Sequence, residues 1–241
     1  MAENFFSLVQ KAFETASVGD ARHFGVTVGI VTNNDPSSDK QAPSWAKHGN
    51  AVKIKYIHLP ADPQTGQQPE SDWARVAQPA AGAGRGFYWV PEVNDEVLVA
   101  FERGEAHRPY VIGCLWNGQD KPIKGAFSKD NTTRWIQTRS GHKIVFEDKK
   151  GAEKIVVADS SGKRTMTFDV KNKKFTIEAK EGDVEIHAEK KIVLSCEDLE
   201  IKTGKTGKID IGTTFDLNVG DKANIKAGSQ LNIKASRVNI N

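Results

Sequence analysis

From Phe175 onward the chain repeats every eight residues, and each repeat is too short to enclose a core of its own. Apolar side chains stand at alternate positions: Phe175-Ile177-Ala179, Val184-Ile186-Ala188, Ile192-Leu194-Cys196, Leu199-Ile201-Thr203, Ile209-Ile211-Thr213, Phe215-Leu217-Val219, Ala223-Ile225-Ala227, Leu231-Ile233-Ala235 and Val238-Ile240. Their central residues, from 177 to 240, are on average just under eight apart. Alternation of this kind is the signature of a strand with one apolar side. The residues between are Thr, Glu, Lys, Asp and Asn, suited to water. One-chain solenoids usually need coils of about 20 residues or more. Eight residues cannot wrap a core, and a long uncovered strand edge aggregates. Three copies can share the work, each supplying one wall of a triangular prism. The repeat therefore argues for an obligate homotrimer with a core of Phe175, Ile177, Val184, Ile186, Ile192, Leu194, Ile201, Ile211, Leu217, Ile225 and Ile233. A large open antiparallel meander is the alternative that the pattern leaves.

The sequence changes character half-way. All nine prolines lie at or before Pro122, and fourteen of the nineteen aromatic residues lie at or before Phe127. Residues 1–127 carry 12 Lys/Arg and 14 Asp/Glu, whereas 128–241 carry 22 and 17. The pattern predicts an all-β chain in four pieces. Residues 1–22 form an amphipathic helix suited to docking, with Phe5, Phe6, Val9 and Phe13 on one face. Residues 23–122 form a small β-barrel of five or six short strands. Within it, AVKIKYIHL (51–59) places Val52, Ile54 and Tyr56 on one face. FYWVP, DEVLVAFE and RPYVIGCLWN read as strands, and NNDPSSD, 60–72 and AAGAGRG as loops. Residues 123–172 form a neck of hairpins with turns at SGHK, KKGAE, SSGK and KNKK. Residues 173–241 are the repeat.

The segment 71–122 is similar to the OB-fold domain of contractile-tail spike proteins, the phage baseplate V and VgrG proteins of contractile injection systems. The likeness lies in Trp73, Arg75 and Val76, the glycine-rich 82–86, Trp89 and Pro91, the strand Asn94 to Phe101, and Gly104, Arg108, Pro109, Gly113 and Asn117 in order. The resemblance implies three OB-folds as a collar, with Trp73, Arg75, Pro91, Arg108, Pro109 and Gly113 as its motif. It also implies an intertwined triple-stranded β-helix as a needle that punctures the target cell envelope. Only about 23 residues precede the barrel, so the hub is expected to be a separate protein on the N-terminal side. The pattern stops on Val238, Ile240 and Asn241, which makes an apolar end and a seat for a PAAR-like tip protein. The expected setting is a virion baseplate or injection particle assembled from a protein made in the cytoplasm. The alternative is a trimeric OB-fold protein that binds oligosaccharide or nucleic acid, with the β-helix as a trimerisation stalk.

Other chemistries find little support. No run approaches the roughly 20 apolar residues of a spanning helix, and the N-terminus lacks the apolar stretch of a signal peptide. Cys114 and Cys196 stand too far apart in sequence for a zinc motif. The six histidines include no His-x-His pair, so no metal and no cofactor is expected. AAGAGRG lacks the Lys-Ser/Thr of a phosphate loop. Phe87, Tyr88, Trp89, Arg75 and Arg85 would suit stacked bases, but the acidic balance of residues 1–127 opposes nucleic acid. Ser140, Gly141, His142, Glu147 and Asp148 sit at turns without a nucleophile motif, so no enzymatic role is expected.

Overall fold

The computed structural model describes residues 23, 25–59 and 61–239. The expected N-terminal helix and two residues of the expected tip seat, Ile240 and Asn241, lie outside them. The described chain falls into two units, one ending at Val184 and the other beginning at Glu185.

The first unit opens with seven strands: β1 Val26–Asn33, β2 Ala51–Tyr56, β3 Ala74–Val76, β4 Ala81–Gly82, β5 Arg85–Gly86, β6 Glu96–Phe101 and β7 Pro109–Leu115. Five of them close a barrel in the order β1-β2-β3-β7-β6. All its pairings are antiparallel except β3 with β7, where Arg75 faces Tyr110 and Val76 faces Val111. This closed five-stranded barrel has the OB topology that the resemblance led us to expect. Its core is Val31, Val52, Ile54, Tyr56, Ala74, Val76, Val97, Val99 and Val111. The period of two does the sorting: Val52, Ile54 and Tyr56 point inward and Lys53 and Lys55 outward. Each large side chain so buried contributes roughly 1.5–3 kcal/mol. Trp73 joins Ala42, Ala46 and Ala51 in a second small cluster.

Two local expectations are corrected. The glycine-rich 80–86 is a two-strand hairpin arm, with Ala81 paired to Gly86 and Gly82 to Arg85. Conversely, the aromatic run 87–90 and Pro91 form no strand. Side chains occupy its backbone instead. Gln78 Nε2 donates to the Trp89 carbonyl at 3.0 Å, and Asn34 Nδ2 donates to the Pro91 carbonyl at 3.1 Å.

Five further strands follow in the same unit: β8 Thr133–Gln137, β9 Lys143–Glu147, β10 Lys154–Ala158, β11 Arg164–Asp169 and β12 Lys174–Ala179. They form one antiparallel sheet in sequence order. The turns fall where Gly and Lys cluster. Arg139, in the β8–β9 turn, donates to Glu92 of the barrel at 3.1 Å.

In the second unit, residues 185–239 form no strand, and every one of them is exposed. The chain bends sharply at a regular interval, at 189–190, 197, 204–205, 212–213, 220–221, 228–229 and 236. The bends and the apolar triads therefore share one eight-residue rhythm. Gly204, Gly212, Gly220 and Gly228 each stand at a bend.

Candidate assembly surface

The five-stranded sheet is two-sided in a way that its separate strands do not reveal. Register aligns Arg134, Phe146, Ile155, Phe168 and Phe175 in one row across all five strands. It aligns Ile136, Ile144, Val157, Met166 and Ile177 in a second row two residues away. Residues two apart share a face, so nine of these ten side chains make one continuous apolar surface. It is uncovered: the nine are 36–53 % exposed. Phe168 and Phe175 pack against each other within it, their rings tilted by 32° and their centroids 4.5 Å apart.

The opposite face is polar at its margin. There Glu147, Lys154, Asp169 and Lys174 alternate in sign along one row, and Lys154 pairs with Asp169 at 3.3 Å. Such exposed pairs add only about 0–1 kcal/mol each. The centre of that face is apolar as well, with Trp135, Val145 and Val156 aligned in one row and half-buried.

Of the residues expected to form a trimer core, Phe175 and Ile177 lie on β12. There they face Phe168 and Met166 of the same chain. The hairpin sheet thus runs on through Ala179, past the boundary expected at 172/173. The others expected there belong to or adjoin the bent segment. Val184, Ile186, Ile192, Leu194, Ile201, Ile211, Leu217, Ile225 and Ile233 are all exposed. Val238, the described part of the expected tip seat, is exposed too. From residue 185 to 239 fifteen large apolar side chains face solvent. Each forgoes roughly 1.5–3 kcal/mol of burial, more than a lone chain of this kind can leave unused. Sequence reading missed the sheet's own apolar face. The signal was there as two alternating apolar residues per strand, but it becomes a surface only once the register is known.

The barrel motif residues are scaffold. Trp73 is buried and its Nε1 donates to Asp39 Oδ2 at 3.0 Å. That indole, the Gln41 amide and Lys53 together hold the Asp39 carboxyl below its ordinary range. Pro91 and Pro109 are buried, Arg108 is bound to Glu105 at 3.1 Å and to Glu102 at 3.5 Å, and Gly113 faces Leu98. Arg75 differs: its guanidinium lies 5.9 Å from the Trp45 ring centroid with no carboxylate partner among the described residues. The turn residues weighed for catalysis serve the turns. His142 Nδ1 accepts from the Ser160 amide at 3.2 Å, and Glu147 caps the Lys149 amide at 3.1 Å. Among the described residues no group of three or more His, Cys, Asp or Glu could hold a metal ion. No helix among them is long and apolar enough to cross a membrane.

Residues 57–116, from the end of β2 to just past β7, match the type VI secretion system/phage-baseplate injector OB domain. This part of the chain is similar to VgrG spike proteins. It is 27 % identical over 135 residues to the type VI secretion system spike protein VgrG1c of Pseudomonas aeruginosa, covering 53 % of this chain and 18 % of that protein. With VgrG1a of the same organism it shares 28 % over 121 residues, 47 % of this chain and 18 % of the relative. With the spike protein VgrG3 of Vibrio cholerae it shares 30 % over 113 residues, 45 % and 11 % respectively. The VgrG-like stretch thus spans less than a fifth of each of these relatives.

Proposed function

We propose that three copies of this chain form the central spike of a contractile injection baseplate. The observation that carries the proposal is the coincidence of two rhythms in residues 185–239: bends every eight residues, and apolar triads between them with nothing of their own chain to cover them. Three such segments wound about one axis bury the triads inward, exchange backbone hydrogen bonds between chains and leave the Lys, Asp, Glu and Thr outward. The apolar face of β8–β12 continues the same demand for partners. The VgrG relatives support the setting.

The work is mechanical, and no reaction is assigned to the chain. Sheath contraction elsewhere in the particle supplies the force. The intertwined rod transmits it, because each strand is held by many bonds shared among three chains, so losing one bond does not release it. The barrels act as a collar beneath a separate hub protein on the N-terminal side. Val238, Ile240 and Asn241 seat a PAAR-like tip protein. The polar exterior lets the rod pass through the target envelope, transiently, without adhering.

The mass of the full chain in solution tests the reading. Light scattering is expected to give three chains, and a variant carrying Ile211→Asp and Ile225→Asp is expected to lose the trimer. A full-length monomer would defeat the shared-core argument and the spike with it.

A further inference from the structure

We infer that the groove between the β4–β5 arm and the barrel is a docking site for an acidic segment of a protein partner. Glycines leave room for Tyr88, just past the arm, and for Arg85 within it. A β-carbon on Gly49, whose φ is +84°, would lie 2.8 Å from Tyr88 Oη, and one on Gly82 would lie 3.0 Å from the Arg85 guanidinium carbon. Beneath the arm, Asn50 and Gln78 are already committed. Gln78 Nε2 donates to Asn50 Oδ1 at 2.8 Å and Asn50 Nδ2 donates to the Val76 carbonyl at 2.9 Å. They form a floor, and the groups left to meet a ligand are above it.

Those groups are of one kind. The groove measures about 570 Å³, and none of its fourteen lining residues is Asp or Glu. Arg75, Arg85 and His48 face it without a carboxylate partner among the described residues, beside Trp45, Phe87 and Tyr88. The adjoining cleft shares Trp45 and Arg75 but differs in balance. It contains Asp39, Asp72 and Glu102, with Lys53 held by Asp39 at 3.2 Å and Arg108 by Glu102 at 3.5 Å. One cleft is internally neutralised. The other presents guanidinium forks, suited to bidentate carboxylate recognition, on a half-chain whose net charge is negative.

The shape of the ligand follows. A long polyanion leaving this groove would run over the neighbouring carboxylates, which disfavours a nucleic-acid strand. A single small anion would use the two arginines and leave the aromatic walls idle, Tyr88 being 70 % exposed. A polypeptide with carboxylates interleaved with apolar side chains uses both.

The test employs the full-length protein and an immobilised array of twelve-residue peptides, each with two to four Asp or Glu among Phe, Leu and Tyr. A matched array carries Lys in place of the acids. Acidic peptides are expected to bind and the Lys set not to. The strongest binder, measured by fluorescence anisotropy, should weaken about tenfold or more in Arg75→Gln/Arg85→Gln, since each charge-assisted hydrogen bond lost costs about tenfold. Lys121→Gln/Lys124→Gln removes the same charge from the same half of the chain and should leave binding unchanged. Gly49→Ala, which displaces the Tyr88 ring from the wall of the groove, should weaken it as well. The proposal is overturned if no peptide binds at millimolar concentration, or if both double variants weaken binding equally. It is also overturned if a ten-residue oligothymidine or inorganic phosphate competes at the peptide's own concentration. A change of oligomeric mass in the Arg75/Arg85 variant overturns it too, since the groove would then be a contact between copies.

Discussion

Phe168 and Phe175 face each other across the β11–β12 hairpin with ring centroids 4.5 Å apart, yet both remain about half exposed, at 43 % and 51 %. A pair packed this closely has found one neighbour and lacks the rest. In the trimer we propose, Phe168→Asp places a charge in the apolar surface, and an unpaired buried charge is among the most costly of changes. The expected result is loss of the trimer in sedimentation at micromolar concentration, with the barrel still folded. Retention of full trimer mass would show that this face is not buried in the assembly.

Ile54 lies at the centre of the barrel with no exposed surface. Ile54→Ala deletes packed methyl and methylene groups and leaves a cavity. A loss of about 2–5 kcal/mol is expected, read in chemical unfolding followed by tryptophan fluorescence. A loss below about 1 kcal/mol would contradict a close-packed core here.

Asp159 holds the β10–β11 turn. Its carboxyl accepts from the Ser161 hydroxyl and from Arg164, which draws it down to about 2 from 3.8. The folded value is the lower, so its stabilising contribution is fully present above 3.8 and disappears as pH falls through about 2. Asp159→Asn should therefore be less stable than the parent at neutral pH. The gap should close across that acid window in urea titrations at stepped pH. A gap that is independent of pH would remove the carboxylate as its cause.

Gly49 combines a φ of +84° with the approach of Tyr88. Gly49→Ala meets both obstacles, at a cost of about 1–3 kcal/mol for the backbone alone. Faster hydrogen exchange at residues 87–90 is expected together with a lower melting temperature. If exchange there is unchanged, the packing of Tyr88 over Gly49 does not hold this segment.

The Arg139–Glu92 pair spans barrel and sheet at 3.1 Å, but Arg139 is 82 % exposed. Arg139→Gln should alter stability by less than about 1 kcal/mol, measured by thermal melting at low and high salt. A larger loss would mean that the pair is shielded in the assembly.

The sequence disclosed what repeats and what alternates. Val52, Ile54 and Tyr56 announced the inner wall of β2, and Gly-Lys clusters announced the hairpin turns. What it hid depends on partners distant in the chain. The run Phe87-Tyr88-Trp89 has strong strand propensity, yet the Gln78 side chain takes the Trp89 carbonyl, Asn34 takes that of Pro91 just beyond, and no strand forms. Trp45 sits in a stretch with no period at all. It becomes visible only when Arg75, thirty residues later, comes to lie over its ring. The apolar sheet face was concealed for a related reason: Ile144 and Phe146 look like any half-buried strand until register sets Ile155, Val157, Met166 and Phe168 beside them. The amphipathic segment before residue 23 and the final two residues, both singled out from the sequence, lie outside the described structure.

The eight-residue interval between bends has a further consequence for heredity. In the spike we propose, losing an arbitrary number of residues would put bends and triads out of step, whereas losing one whole interval, from Gly212 to Gly220, removes one triad with one bend and leaves the rest in step. Reach can therefore change by duplication or loss of single units without redesign of what lies beyond. In a lineage, its length would be inherited as a count of steps rather than as a continuous dimension.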